Sequence, residues 1–339
     1  MDESAKQVIP AYLEHGGDVA EAEALYGRPR GGWLDLSTGI NPHSYPMPEV
    51  TSECWTRLPD SRAYAKLRRA AADCYGAGDP ALVTPAPGAQ ALIQWLPRLR
   101  PRSQVSVLGP TYNEHAHAWC LAGHRVEEVN GFDMVDRQAE VVVVVNPNNP
   151  DGRLLETGAL AELSLKLASR GGWLVVDESF ADVTPKASIS ARAGMPGLVV
   201  LRSFGKFFGL AGVRLGFALT GAELAGALAH ALGPWAVSGP AAEVGTTALA
   251  DAKWISATRR RLKEEAKRLD GLLTSHGMQV IGGCDLFRLV KTTEAAEIHA
   301  RLARSGVLVR RFSQYPDRLR FGLPGANDDW DRLEKALGI

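Results

Sequence analysis
Apolar positions between residues 104 and 203 fall into short runs, separated by stretches whose apolar residues recur at helical spacing. The run 141–145 is five consecutive valines, apolar on both faces, as expected of a strand inside a parallel sheet covered by helices. Similar runs over 104–108, 172–178 and 198–203 predict further strands, with another at 125–129. Helices are predicted between them, one through Trp119 and one over 160–168. The strands hand over to loops that carry Gly109-Pro110-Thr111-Tyr112, Asn146-Pro147-Asn148-Asn149-Pro150-Asp151-Gly152, Asp177-Glu178 and Ser203-Phe204-Gly205-Lys206. In open α/β sheets that carboxyl edge is where ligands bind.

Upstream, 82–92 reads as strand, glycine turn and helix, and 63–75 as a helix ended by Gly76. A helical pattern surrounds Ala11-Tyr12-Leu13, and a second follows Asp18, which caps it before the exit at Gly27. Between them lies His15-Gly16-Gly17, which taken alone is an ordinary loop histidine beside a flexible backbone. Residues 33–37 predict a short strand running into a crossing made non-helical by Pro42, Pro46 and Pro48. Downstream, 241–271 reads as one long helix whose mixed charges form a solvated face. Strands near 278–281, 286–290, 307–310 and 319–322, with helices near 295–305 and 328–337, suggest a smaller α+β domain. Segments 1–44 and 236–339 are expected to share it, since neither buries a core alone, leaving 45–235 as the large domain.

Composition narrows the partners. The 339 residues are 45% hydrophobic, enough for a large core, and Lys plus Arg equals Asp plus Glu at 38 each. No global basic field attracts nucleic acid, and no apolar run approaches a membrane span, so a small ligand is the expected partner. Cys54, Cys74, Cys120 and Cys284 are far apart and form no metal-type spacing; with no secretory signal at the N-terminus, they read as reduced thiols of a cytoplasmic protein.

The chemistry centres on Lys206, a lone lysine among glycines and phenylalanines, with Ser203 before it and Arg214 after. Apolar surroundings disfavour its cation, which leaves a nucleophilic amine suited to a Schiff base. Asp177 ends a buried strand, where a bare carboxylate is costly unless a cation or proton donor meets it. A protonated pyridine nitrogen is such a partner, Asn149 can donate to a phenolate oxygen on the same ring, and Gly88, Ala89, Gln90, Ser203 and Arg214 can surround a phosphate.

In this order, Asn146-Pro147-x-Asn149-Pro150-x-Gly152, Asp177-Glu178-x-Phe180, Ser203-x-x-Lys206 and Gly212-x-Arg214-x-Gly216 resemble the fold type I, class I/II aminotransferases, which use pyridoxal 5′-phosphate. The resemblance implies an α/β fold, with a large domain built on a mostly parallel seven-stranded sheet plus a smaller α+β domain. It assigns the Schiff base to Lys206, the pyridine nitrogen to Asp177, O3′ to Asn149, ring stacking to Tyr112, and the phosphate to Gly88, Ala89, Gln90, Ser203 and Arg214. It also implies a homodimer with the site at the subunit interface.

Within the family, His15-Gly16-Gly17, the stretch 33–42, Leu58-Pro59-Asp60, 234–240 and Leu319-Arg320-Phe321-Gly322 are most similar to the histidinol-phosphate aminotransferase branch and, inside it, to its decarboxylases of phosphorylated threonine in cobalamin biosynthesis. That likeness makes His15, Asn41, Arg310 and Arg320 the candidate substrate ligands and a small phosphorylated amino acid the candidate substrate. The alternatives are an aminotransferase and a catalytically silent cofactor-binding scaffold. Two positions depart from the branch: Leu58 stands where a tyrosine often reaches the neighbouring subunit's phosphate, with Tyr64 as a candidate substitute, and Phe180 stands where a tyrosine often meets O3′.

Overall fold
The valine run becomes β5 (Val141–Val145), buried throughout, near the middle of the larger of two sheets in the computed structural model, which describes residues 15–135 and 138–338. The helical pattern around Ala11-Tyr12-Leu13 lies outside the described residues. β-branched residues fit this position because their stiff side chains pack both faces of a covered sheet. The elements preceding β5 are α1 (Val19–Tyr26), β1 (Leu34–Leu36), α2 (Ser52–Thr56), α3 (Ser61–Tyr75), β2 (Val83–Ala86), α4 (Ala89–Trp95), β3 (Gln104–Leu108), α5 (Glu114–Leu121) and β4 (Arg125–Val129). After it come α6 (Thr157–Ala168), β6 (Trp173–Asp177), β7 (Leu198–Ser203), α7 (Phe204–Phe207), β8 (Gly216–Thr220), α8 (Ala222–Leu232), α9 (Gly239–Ala250) and α10 (Ala252–Ser275). The chain continues through β9 (Gln279–Cys284), β10 (Phe287–Lys291), α11 (Ala295–Arg304), β11 (Val307–Arg311), β12 (Arg318–Gly322) and α12 (Asn327–Leu337).

The larger sheet has seven strands in the order β2-β8-β7-β6-β5-β3-β4, and β8 runs antiparallel to both its neighbours while the other pairings are parallel. Val145 pairs with Asp177 and Asp177 with Leu201, so the loops after β5, β6 and β7 leave the same edge. On one face Leu92, Ala118, Trp119 and Leu228 of α4, α5 and α8 cover Val143, Val175 and Val199. On the other, α3, α6 and α9 cover Val144, Val176 and Val200. No described helix is long and apolar enough to cross a membrane.

The smaller sheet is ordered β1-β11-β12-β10-β9, and β1, drawn from the start of the chain, pairs in parallel with β11. α10, α11 and α12 contribute Leu262, Ile298 and Trp330 to the core.

One sequence expectation is corrected. The single helix over 241–271 is two helices, α9 and α10, interrupted at Asp251, whose carboxylate accepts the Trp254 N–H at 2.9 Å and starts a second helix. An N-cap of this kind is worth about 1 kcal/mol. α9 lies close along α3 because Gly245 leaves room: a Cβ there would come within 2.4 Å of Leu215 and 3.0 Å of Leu67. β8 and α8 are elements the apolar pattern did not separate.

Candidate active site
A cavity of about 650 Å³ opens at the carboxyl edge of the larger sheet, between it and the smaller one. Its lining includes His15, Tyr112, Asn149, Lys206, Arg310 and Arg320, brought together from three loops, the helix α7 and two strands.

Lys206 sits in α7, the one-turn helix directly after β7. Burial pushes its amine down to about 8; Arg320 adds to the shift, Asp177 opposes it and Arg214 adds a smaller push. Its Nζ stands 5.7 Å from the centre of the Phe180 ring. Asp177 is buried at the end of β6. His115 Nε2 donates to its Oδ2 at 2.8 Å, and the N–H and hydroxyl of Ser179 donate to its Oδ1 at 2.9 and 2.5 Å. Burial alone would raise this carboxyl, but the bond and charge of His115, with the Ser179 donors, hold it below its ordinary value. The carboxylate is therefore kept ionised at the end of β6, behind the cavity, as a pyridinium nitrogen of a pyridoxal cofactor would require.

The phosphate side is a cradle in which side chains would not fit. Gly88 has φ 87°, and a Cβ on it would lie 2.6 Å from Arg214 Nη2; a Cβ on Gly216 would lie 2.4 Å from the Ala89 nitrogen. α4 begins at Ala89, so its leading N–H groups, those of Ala89 and Gln90, lie ahead of the helical hydrogen-bond ladder at the positive end of the helix, where an anion is favoured. Arg214 adopts a left-handed φ of 55° and steadies its guanidinium on the Ala211 carbonyl at 3.1 Å. The hydroxyl of Ser203 makes no cap bond to α7 and so is not spent on the helix. These residues fit the phosphate of pyridoxal 5′-phosphate.

On the substrate side Arg310 and Arg320 are direct cross-strand partners of β11 and β12. Like charges so placed repel, and burial together with Arg310 pushes Arg320 down to about 10, with Cys284 and Asp35 opposing. Arg320 donates to Asn149 Oδ1 and, at 2.9 Å, to the Ser37 carbonyl, and its buried Nε has no protein partner. Because Asn149 Oδ1 accepts from Arg320, the Asn149 amide presents its Nδ2 hydrogens elsewhere. The two guanidiniums rest over aromatic rings, Arg310 over Phe312 at 5.3 Å and Arg320 over Phe287 at 5.0 Å.

Not every sequence candidate reaches the cavity. Asn41 spends Nδ2 on the Phe207 carbonyl at 2.8 Å and Oδ1 on the His43 N–H at 2.9 Å, while its backbone N–H bonds the Lys206 carbonyl. Asn41 therefore fixes the loop that carries the lysine and does not line the cavity. Tyr64 exchanges hydrogen bonds with the backbone of Val237 through its hydroxyl, at 2.9 and 3.2 Å, so it does not stand in for the tyrosine missing at the exposed Leu58.

Two residues that sequence reasoning passed over belong to the site. His115 holds Asp177, and Glu114 joins Gln90 to His15 with bonds of 2.6 and 3.1 Å. Their only sequence signal is position, two and three residues after Tyr112 at the start of a helix. Their partners lie 62, 24 and 99 residues away.

The family model for aminotransferase class I and II matches residues 34–337. The chain is 48% identical over 327 residues to the threonine-phosphate decarboxylase of Pseudomonas aeruginosa, covering 96% of this chain and 97% of that one. It is 43% identical over 333 residues to the enzyme of the same name from a Sinorhizobium species, with 97% and 98% covered. Among solved structures, histidinol-phosphate aminotransferase from Sinorhizobium meliloti in complex with pyridoxal-5′-phosphate aligns with a TM-score of 0.81 at 19% identity, over 99% of this chain and 97% of that one. L-threonine-O-3-phosphate decarboxylase from Porphyromonas gingivalis aligns with a TM-score of 0.75 at 21% identity, over 89% and 98%. At those identities the structural likeness is one of fold.

Proposed function
The chain belongs to the class I and II aminotransferase family, and from that premise we propose that it is a pyridoxal 5′-phosphate-dependent decarboxylase converting L-threonine O-3-phosphate to (R)-1-amino-2-propanol O-phosphate and CO2, a step of cobalamin biosynthesis. The observation that carries this reading is the opposed pair Arg310 and Arg320 beside Lys206 in one cavity. Two arginines facing each other across adjacent strands call for an anion between them, and a phosphate dianion satisfies more of their donors than a carboxylate does.

In this reading Lys206 anchors the cofactor, Asp177 meets its ring nitrogen, Asn149 its O3′, and Tyr112 its ring face. The α4 N-terminus with Gly88, Ala89 and Gln90, together with Ser203 and Arg214, holds its phosphate. Bound there, pyridoxal 5′-phosphate supplies the sink for the electron pair released when a bond to the substrate Cα breaks. What the chain decides is which bond breaks. Arg310, Arg320 and His15 grip the substrate's phosphate and leave its carboxylate free to leave as CO2. Lys206, whose amine is pushed down to about 8, can then return a proton to Cα. Phe180, buried against Phe287, keeps that part of the site apolar.

We also assign 45–235 to a large domain and 1–44 with 236–339 to a small one, and place the protein in the cytoplasm as a homodimer with the site at the subunit interface. The exposed side chains Met47, Trp55 and Leu58 support a buried surface on that side.

The experiment is direct: purified protein with pyridoxal 5′-phosphate and L-threonine O-3-phosphate, without any keto acid, should release CO2. Absence of CO2 from fully loaded protein overturns the reading, and amino-group transfer to 2-oxoglutarate in its place would make it an aminotransferase.

A further inference from the structure
The Glu114 carboxylate is buried, yet the donors that meet it come from two side chains with ligand-facing duties. Gln90 Nε2 donates to its Oε2 at 2.6 Å, and His15 Nε2 donates to its Oε1 at 3.1 Å. Gln90 in turn accepts the Tyr112 hydroxyl at 3.3 Å, and the His15 ring lies 6.0 Å from that of Tyr112. His15 itself is about half exposed at the cavity mouth, on backbone that a bond from Gly17 N–H to Ser37 Oγ at 2.7 Å ties down.

We propose that Glu114 is a positioning residue that couples the substrate-facing His15 to the cofactor-phosphate cradle through Gln90; this rests on the decarboxylase reading for the identity of the substrate. A buried carboxylate oxygen left without a donor is costly. With Oε2 satisfied by Gln90, the donor that the described residues offer Oε1 is the inward-turned His15, so Glu114 holds the imidazole in its cavity-facing orientation. That bond occupies Nε2 and leaves Nδ1 as the ring atom available to substrate. Gln90 is drawn the other way, its amide nitrogen pinned to Glu114 and its oxygen to Tyr112, which fixes the first turn of α4 at the phosphate. Coupling through one carboxylate is reciprocal: whatever orders Gln90 favours the inward histidine, and an engaged histidine favours the ordered cradle.

The test is a pair of double-mutant cycles built on the near-isosteric Glu114→Gln. In holoenzyme, Glu114→Gln should raise KM for L-threonine O-3-phosphate about tenfold while kcat stays within about twofold, and should weaken pyridoxal phosphate binding several-fold. In a His15→Ala background the same change should move KM by less than about twofold, and in a Gln90→Ala background it should leave the cofactor dissociation constant nearly unchanged. Additive effects in either cycle, or a loss confined to kcat, overturn the proposal. If the wild type releases no CO2, the decarboxylase reading fails by itself. The cofactor cycle then still decides the Gln90 half, and the His15 half is decided by spectral titration of the loaded protein with L-threonine O-3-phosphate.

Discussion
Asp177 and Glu178 are neighbours in sequence, both buried at the end of β6, and they serve opposite faces of the same sheet. Glu178 is saturated. The hydroxyls of Ser188 and Ser190 and the Arg202 guanidinium donate to Oε2 at 2.5, 2.7 and 2.7 Å, and the Ile189 N–H donates to Oε1 at 2.7 Å. Arg202 also bonds Asp182 at 2.7 Å and lies 4.3 Å from the centre of the Tyr75 ring; burial opposes its charge, but Asp182 and Glu178 more than offset that and its pKa rises. Because Arg202 is on β7 and Glu178 follows β6, this network clamps together the two strands that deliver Lys206 and Asp177. On the other face the lysine is pushed toward its neutral form, and two arginines stand side by side on adjacent strands at the cavity. Opposite buried charges that pair within the chain hold the strands together, and like charges brought side by side at a cavity mark where an anion is accommodated.

The comparison breaks most sharply at Asp177→Asn. We expect about a 10⁴-fold loss of kcat/KM, ~5.6 kcal/mol at about 1.4 kcal/mol per decade, with the fold intact by circular dichroism. Retention of activity would mean that the carboxylate on the open face is structural after all. Next in size is Arg202→Met on the closed face, which leaves Glu178 and Asp182 buried without their cation and should cost about 3–5 kcal/mol in denaturant unfolding. The effect on kcat should be much smaller than that of Asp177→Asn; equal kinetic losses would erase the distinction between the faces.

Much of this was legible because it is local. The valine run, the glycine turn before α4, and the spacing of Asn149, Asp177, Lys206 and Arg214 are all written in short windows, and the structure brings these residues to one edge. What could not be read depends on distant partners. The role of His115 exists only because Asp177 arrives from 62 residues away, and Asn41 looked like a ligand until its amide was found bonded to Phe207, 166 residues on. The break at Asp251 was hidden for a different reason: no proline or glycine marks it, and a lone aspartate, though it favours an N-cap, does not by itself end a run of alanines that otherwise reads as helix. α8 was missed because an alanine-rich stretch has little apolar periodicity to detect.

A third test sharpens the open side through pH. The folded protein holds the Lys206 amine near 8, against roughly 10.4 for an unperturbed lysine. Between those values the unfolded chain binds more protons than the folded one, so the cofactor-free protein gains stability as pH rises through that window. Below about pH 8 the amine is protonated in both states, and the penalty of the buried cation is constant. The melting temperature of the wild type should therefore climb relative to Lys206→Met between pH 8 and about 10. A gap that does not change with pH would show that the lysine is not held in a charge-disfavouring site.

The smallest effect is expected at Phe180→Tyr. The ring is buried, meets Phe287 edge-on at 5.1 Å, and packs where Gly39 carries no side chain: a Cβ there would lie 2.8 Å from Cε1 and 3.3 Å from Cζ. A hydroxyl on Cζ must enter that narrow space or turn toward the cavity, where Asn149 Oδ1 is already engaged by Arg320. The new group thus adds a polar atom without a vacant role, costing about 1 kcal/mol of stability and changing the rate of CO2 release by less than about threefold. A change above tenfold, or the appearance of amino-group transfer, would move Phe180 from the apolar wall into the set of residues that choose which bond breaks.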